Sequence, residues 1–476
     1  MIRNAAARNF VRLAARCTRA NCTAVQGEAK ETLRRHAKIP IVSKQIIHPA
    51  KALSGGVETP GDKSISHRYA MLAALADGTS ELRHFAAAAD CHSTLECMRA
   101  LGAKVKVEQD VVKITGHGLH GLKSSSRALD AGNSGTTMRL LAGILAGQKF
   151  ATKLTGDESI QKRPMKRVVA PLREMGAQIT AREDNFAPLE IRGGALRPID
   201  YQLPMASAQV KSAILLAGLF ADGETSVTEP GRTRDHTELA LAEFGAPVEK
   251  ARRTIRIRGM ASNGGAKLRP VSMDVPGDLS SAVFFIAAAS LLPNSSLLIH
   301  NVGLNPTRTA ILDVLMQMGA SIQMLSLKSE HGEIIGDLAV KSAELRGGVI
   351  EGPQIPQVID ELPMLAALGP FTEEGVEIRD AAELRVKESD RIAALAENLR
   401  RMGARLEERR DGLRVEGRGA GKLRGAEIDP KGDHRIAMAF AIAALAADGP
   451  TTISGSECAA VSYPAFFEDL TRLAER

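Results

Sequence analysis

Two hydrophobic patterns alternate along the chain. In the first, apolar residues at helical spacing run into Gly-Ala and then into a period-two alternation. It occurs five times: LECMRALGAKVKV (95–107), LREMGAQITA (172–181), LAEFGAPVEK (241–250), LMQMGASIQM (315–324) and LRRMGARLEE (399–408). Each copy predicts a helix, a glycine serving as its left-handed C-cap, and a strand. The second pattern is a polar opening, an Ala/Leu-rich helix, a turn and a strand. Its six openings are Lys63-Ser64, Asn133-Ser134-Gly135-Thr136, Ser207-Ala208-Gln209, Asp278-Leu279-Ser280-Ser281, Asp360-Glu361 and Asp433-His434-Arg435. Interleaved, the two patterns predict a helix–strand–helix–strand unit repeated six times, with the last copy lacking its second helix pattern. Helices this rich in Ala and Leu belong in the inner layers of packed α/β units.

Length and charge narrow the picture. A chain of 476 residues is expected to form two or more domains. The longest apolar run, IAMAFAIAALAA (436–447), is flanked by Arg435 and Asp448 and is too short for a membrane span, so it reads as a buried helix. The formal net charge is +7, but residues 1–44 carry ten Lys/Arg against two Glu, which leaves −1 for everything after them. With that balance, 3% aromatics and no Trp, the globular part offers no footprint for nucleic acid. The basic segment has Arg at 3, 8, 12, 16 and 19 and no acidic residue before Glu28. Two readings fit it: an organelle presequence, or an upstream start. Residues 1–45 are set apart from the fold as a disordered extension. The five cysteines (17, 22, 91, 97 and 458) show neither CxxC nor metal spacing, and their sparse use suits a reducing compartment.

Candidate chemistry lies at the helix openings. Helix N-termini carry unpaired N–H groups and partial positive charge, so several of them around one axis make a polyanion site. Ser, Asn and Asp there are ordinary N-caps, and Ser64 or Ser66 in GDKSISHR (61–68) and Ser389 in ELRVKESDRIAAL (383–395) read as such caps. Caps do not explain the ionic company of Lys63, Arg68, Arg139, Arg163 and Arg435. GDKSISHR also lacks the G-x-x-x-x-G-K-S/T loop of nucleotide sites. Lys387 and Arg391, four apart, suggest two cations sharing one anion, with Glu388 between them able to exchange a proton. Asp360 in QVIDELPML (357–365) reads as an acidic cap or a general base. No Ser-His-Asp or Cys-His arrangement and no metal triad is evident. The inventory suits a multiply anionic substrate held by Arg, Lys and helix N-termini, with one or two carboxylates moving protons.

These stretches, in this order, resemble the 5-enolpyruvylshikimate-3-phosphate synthase family. The resemblance rests on PGDKSISHR (60–68), GNSGTTMR (132–139), KRPM (162–165), SAQ (207–209), TRDH (233–236), RVKESDR (385–391) and GDHRIAM (432–438), and runs from about residue 47 to the end. The wording of TRDH and VIDELP is similar to the bacterial subgroup called class II. The resemblance implies a two-domain inverse α/β barrel, the enolpyruvyltransferase fold, built from six βαβαββ repeats. Its domains would be 46–59 plus 276–476 and the inserted 60–275, with crossings near 59–61 and 275–278. It implies transfer of the enolpyruvyl group of phosphoenolpyruvate to the 5-hydroxyl of shikimate 3-phosphate, releasing phosphate, in aromatic amino-acid biosynthesis.

By the same resemblance, Lys63, Gly135, Arg163, Gln209, Lys387, Arg391 and Arg435 would hold phosphoenolpyruvate. Lys63, Ser64, Arg68, Ser207, Ala208, Gln209, Arg234, Asp360 and Lys387 would hold shikimate 3-phosphate. Asp360 would be the base on the 5-hydroxyl, Glu388 the acid on the methylene carbon, and Lys387 their catalytic companion. No cofactor, metal, nucleic acid or membrane is implied, and the expected state is a cytoplasmic monomer, or an organelle-targeted one if residues 1–45 are a presequence. Many members carry Lys-Thr-Phe-Pro near the C-terminus. Here the stretch is Val461-Ser462-Tyr463-Pro464, one cation fewer. An unsubstituted Gly135 implies sensitivity to the inhibitor glyphosate. Two rivals remain open. One is the sister transferase acting on UDP-N-acetylglucosamine, which uses a loop cysteine absent from 155–165; the other is a catalytically dead anion-binding protein.

Overall fold

The computed structural model describes residues 43–260 and 266–476. The basic segment set apart above therefore lies outside the described residues up to 42. A strand, Lys44–Ile47, begins within the stretch excluded from the fold and pairs antiparallel with Thr451–Ser454.

The recurring unit is βαβαββ. In one copy, strand Leu129–Asp130 leads to helix Gly135–Ala146, strand Ala151–Thr155, helix Lys166–Glu174 and strands Gln178–Arg182 and Phe186–Arg192. The first two strands pair in parallel, the others antiparallel, and the sheet order is first, second, fourth, third. Two further sheets repeat this order, a third repeats it with Ala474–Glu475 added at its edge, and in a fourth the first place is taken by Ser272–Asp274, which follows the other three strands in the chain. All five Gly-Ala turns end their helices with glycine at φ between +83° and +107°, where a side chain would be strained.

The sixth unit departs from the sequence pattern. It does have a second helix, Phe466–Leu473, burying Phe466, Leu470 and Leu473. The helix passes straight into strand Ala474–Glu475 without a Gly-Ala turn, so the signal used for the other copies is missing. That strand pairs with Ala52–Leu53 in another unit's sheet, and the unit's own sheet has three strands, with the N-terminal Lys44–Ile47 standing beside Thr451–Ser454 where other units have their fourth strand.

Packing separates into two hydrophobic clusters. One joins residues from Ile65 to Val275; the other joins Ile47, Leu53 and Val57 to residues from Leu279 to Leu473. The Ala-rich helices form their centres: His434–Leu445 is buried along its whole length and Leu279–Leu291 at all but its last residue. Each fully buried Leu or Ile there contributes roughly 1.5–3 kcal/mol. The chain passes between the clusters twice, and the two passages lie side by side. Gly61 and Gly277 form a β-bridge, Asp62 N–H donates to Pro276 O at 2.7 Å and Asp278 N–H to Pro60 O at 2.8 Å. A Cβ on Gly61 would collide with the His84 carbonyl oxygen, which is why glycine stands at this crossing. Among the described residues no helix is long and apolar enough to cross a membrane.

Candidate active site

Five of the six inner helices start where a short polar side chain accepts from one of their orphan N–H groups. Asp62 accepts from Ile65 N, Ser134 from Thr137 N, Ser207 from Val210 N, Asp278 from Ser280 N and Asp433 from Arg435 N, at 2.8–3.4 Å. The sixth helix, Leu362–Leu368, begins after Glu361 with Pro363 in its first turn and no side-chain cap. Two caps differ from the sequence expectation. Asp62, not Ser64 or Ser66, caps Lys63–Leu75, and Ser66 Oγ instead accepts from Ala86 N. Asp390, not Ser389, caps Arg391–Arg401, while Ser389 Oγ donates to Asp433. In both cases a carboxylate stands at the residue preceding the helix and accepts more strongly than a hydroxyl.

All six openings contribute to one cleft. Its lining includes Lys63, Ser64, Gly135, Thr136, Ser207, Ala208, Gln209, Ser280, Asp360, His434 and Arg435. Ten Lys or Arg side chains line it (Lys63, Arg68, Arg139, Arg163, Arg167, Arg232, Arg234, Arg308, Lys387, Arg435) against five carboxylates (Asp90, Asp278, Asp360, Glu383, Glu388). Such an excess, added to several helix N-termini, makes the site strongly attractive to anions.

The two acids expected to move protons lie on one wall, and each is paired with an arginine from the opposite wall. Arg234 Nη2 donates to Asp360 Oδ2 at 2.7 Å; Lys387 Nζ and Arg391 Nη1 both stand 3.8 Å from Asp360 Oδ1. Arg163 Nη1 lies 3.3 Å from Glu388 Oε1 and its Nη2 donates to Asn133 Oδ1, while Arg391 Nη2 donates to Glu388 Oε2 at 2.7 Å. Burial alone would raise both carboxyls. The cations outweigh it and hold both well below the usual carboxylate range, Arg234, Arg435, Lys387 and Arg391 acting on Asp360 and Arg391, Arg163 and Lys387 on Glu388. Lys387 is pushed below the ordinary lysine value by burial, against the pull of Asp360 and Glu383.

The remaining expected residues are close by. Burial works against the Lys63 ammonium, but Asp90 at 3.0 Å outweighs it and raises its pKa. Arg68 is fixed by Thr237 Oγ1, Ser212 Oγ and Ser64 O, and burial lowers its pKa to about 10. Gln209 Oε1 accepts from Arg139 Nη1 at 2.6 Å, and Gln209 Nε2 donates to Thr136 Oγ1. Arg139 itself, buried beside Arg167 and Arg163, is lowered to about 9. Arg435 Nη1 donates to Asp360 O at 2.8 Å.

Arg391 stands behind the cleft wall rather than in it: it is 1% exposed and its Nε donates to Asp433 Oδ2 at 2.8 Å. Lys387 precedes the helix that Arg391 begins, so the two do not form the helical i,i+4 pair expected from their spacing. Sequence reasoning missed Asp90, Thr307 and Arg308. Asp90 follows an alanine run without a motif, and Thr307 and Arg308 sit in NPTRT, a stretch that reads as an ordinary turn. Val461 and Ser462, at the place of the missing lysine, are not among the lining residues.

Comparison with known proteins agrees with this geometry. The family model described as EPSP synthase (3-phosphoshikimate 1-carboxyvinyltransferase) matches residues 47–470. The chain is 55% identical over 429 residues to the 3-phosphoshikimate 1-carboxyvinyltransferase of Solibacter usitatus, covering 90% of this chain and 99% of that one. It is 54% identical over 431 residues to the enzyme of the same name from Koribacter versatilis, again covering 90% and 99%. A solved EPSP synthase from Acinetobacter baumannii superposes with a TM-score of 0.79 at 44% identity, over 90% of this chain and 98% of that one. With six βαβαββ units around one cationic cleft and this likeness over nine-tenths of its length, the chain belongs to the EPSP synthase family.

Proposed function

We propose that this cleft carries the family's reaction: the enolpyruvyl group of phosphoenolpyruvate is transferred to the 5-hydroxyl of shikimate 3-phosphate, releasing phosphate, in aromatic amino-acid biosynthesis. The observation that supports it most is the pair of acids, Asp360 and Glu388, each ion-paired with an arginine from the facing wall. Lys63, Gly135, Arg163, Gln209, Lys387, Arg391 and Arg435 are assigned to phosphoenolpyruvate. Lys63, Ser64, Arg68, Ser207, Ala208, Gln209, Arg234, Asp360 and Lys387 are assigned to shikimate 3-phosphate. Arg391 acts mainly by charge and by holding Glu388, since it is buried behind the wall.

In this reading Asp360 takes the proton of the 5-hydroxyl as its oxygen bonds to C2 of phosphoenolpyruvate. Glu388 delivers a proton to the methylene carbon. The tetrahedral intermediate then breaks its C2–O bond to phosphate as a proton leaves the new methyl group, with Glu388 now the acceptor and Asp360 passing its proton to the departing phosphate. An ionised Glu388 cannot begin as an acid. When the anionic substrates draw Arg163 and Arg234 to themselves, both carboxylates lose a neutralising partner and their pKa values rise. The substrates thus create the acid they require.

The two hydrophobic clusters support domains of 46–59 plus 276–476 and 60–275, and we assign a cytoplasmic monomer sensitive to glyphosate. Phosphate release from phosphoenolpyruvate plus shikimate 3-phosphate tests the activity. Release that requires both substrates is expected, and none under any condition rejects it.

A further inference from the structure

We infer that Arg308 is a positioning residue that clamps the two chain crossings beneath the cleft and so holds the Lys63 and Asp360 helix mouths in register. Asp62 and Asp278 cap helices belonging to different hydrophobic clusters, and both carboxylates are buried at the crossing. Burial raises Asp278 and the neighbouring Asp62 raises it further, so two like charges are confined together. Arg308, 5% exposed, reaches both: Nη1 is 4.0 Å from Asp62 Oδ2, and Nη2 is 3.4 Å from Asp278 Oδ1.

The contact continues toward the reacting groups. Arg308 Nη2 also donates to Ser280 Oγ at 2.6 Å, Ser280 Oγ donates to Glu361, and Glu361 Oε1 lies 3.7 Å from Arg435 Nη1, which donates to the carbonyl of Asp360. On the other side Asp62 fixes the first turn that carries Lys63, and Asp278 Oδ2 accepts from Lys63 N at 3.5 Å. One guanidinium therefore links the backbone beneath Lys63 to the backbone beneath Asp360. The arginine is itself held in a rigid loop, since Asn305 Oδ1 accepts from Thr307 N at 2.8 Å while its Nδ2 bonds Glu333 and, from the facing lobe, Asp235. Removing the guanidinium leaves two buried carboxylates facing each other without their shared cation, and the crossings separate.

The inference rests on the transferase reading, so parent and variants are assayed together by phosphate release. Arg308→Met is expected to lower kcat by at least about tenfold, the range typical of reacting groups displaced by part of an ångström. Arg308→Lys, which keeps the charge but not the two-pronged reach, is expected to lose less than Arg308→Met without matching the parent. The decisive variant removes the surplus charge: Asp278→Asn, which keeps the cap, should restore kcat of Arg308→Met by at least about threefold. A role in packing alone predicts no such rescue. Parent-like kcat in Arg308→Met, or a further fall on adding Asp278→Asn, overturns the clamp. Where Arg308→Met does not fold, recovery of soluble protein on adding Asp278→Asn supports the clamp, and parent-like kcat in Arg308→Gln overturns it. An inactive parent overturns the transferase reading instead.

Discussion

Glu388 is held ionised by Arg391 and Arg163, yet the role we propose for it needs it protonated. Replacing it with Gln keeps the hydrogen-bonding shape and removes the transferable proton. Glu388→Gln should lower kcat by about 10²–10⁴-fold while changing either KM by less than about threefold, because general acid catalysis acts in the transition state. Steady-state kinetics with each substrate varied checks this, and a kcat within tenfold of the parent rejects the assignment. At Gly135 the question is space. A Cβ there would stand 2.6 Å from Arg139 Nη1 and 3.3 Å from Arg163 Nη1. Both neighbours are ends of flexible side chains, so Gly135→Ala should fold normally but displace Arg139 from Gln209. The expected result is a KM for phosphoenolpyruvate raised about fivefold, roughly 1 kcal/mol, with the KM for shikimate 3-phosphate unchanged.

At the scale of elements, the cap of the His434–Leu445 helix has a second task. Asp433 is fully buried; its Oδ1 accepts from Arg435 N, and its Oδ2 accepts from Arg391 Nε and Ser389 Oγ. Asp433→Ala removes both cap and counter-ion, an expected loss of about 3–5 kcal/mol. Asp433→Asn keeps the cap and should cost clearly less. Thermal unfolding of the two variants side by side checks the order, and equal midpoints would show that Asp433 serves as counter-ion alone and that its cap adds nothing. Elements of this kind were legible in the sequence because each is local: a glycine at C′, an Ala-rich body, a polar residue at the mouth. Asp390 and Asp62 replaced the expected serine caps within one to four residues, an error of boundary rather than of element. The partnerships among elements were not legible. Arg163 meets Glu388 across 225 positions and Lys63 N meets Asp278 across 215, and no periodicity marks such pairs. The Phe466–Leu473 helix was missed because no Gly-Ala turn follows it.

At the scale of the whole molecule, three ion pairs cross the cleft: Arg163–Glu388, Arg234–Asp360 and Arg167–Glu383. The first two use arginines that we assign to the substrate anions. On that assignment binding would exchange an internal carboxylate partner for a substrate phosphate or carboxylate, and would be linked to protons. In the free protein both Asp360 and Glu388 have depressed pKa values, so their ion pairs stabilise the fold above the ordinary carboxyl range and are lost as pH falls through the lowered values. Drawing the arginines away raises those values again. A group whose pKa rises on binding takes up protons, so substrate affinity should increase as pH falls between the free and bound values. Asp360 keeps Lys387 and Arg391 beside it and must stay ionised to act as base, so calorimetry of shikimate 3-phosphate binding at about pH 6, in two buffers of different ionisation enthalpy, should report little net proton uptake. Adding a non-reacting phosphoenolpyruvate analogue should increase the uptake through Glu388, and the increase should vanish in Glu388→Gln. Heats of analogue binding that are the same in both buffers would mean that Arg163 stays with Glu388 when substrate binds, and the acid would have to gain its proton by another route.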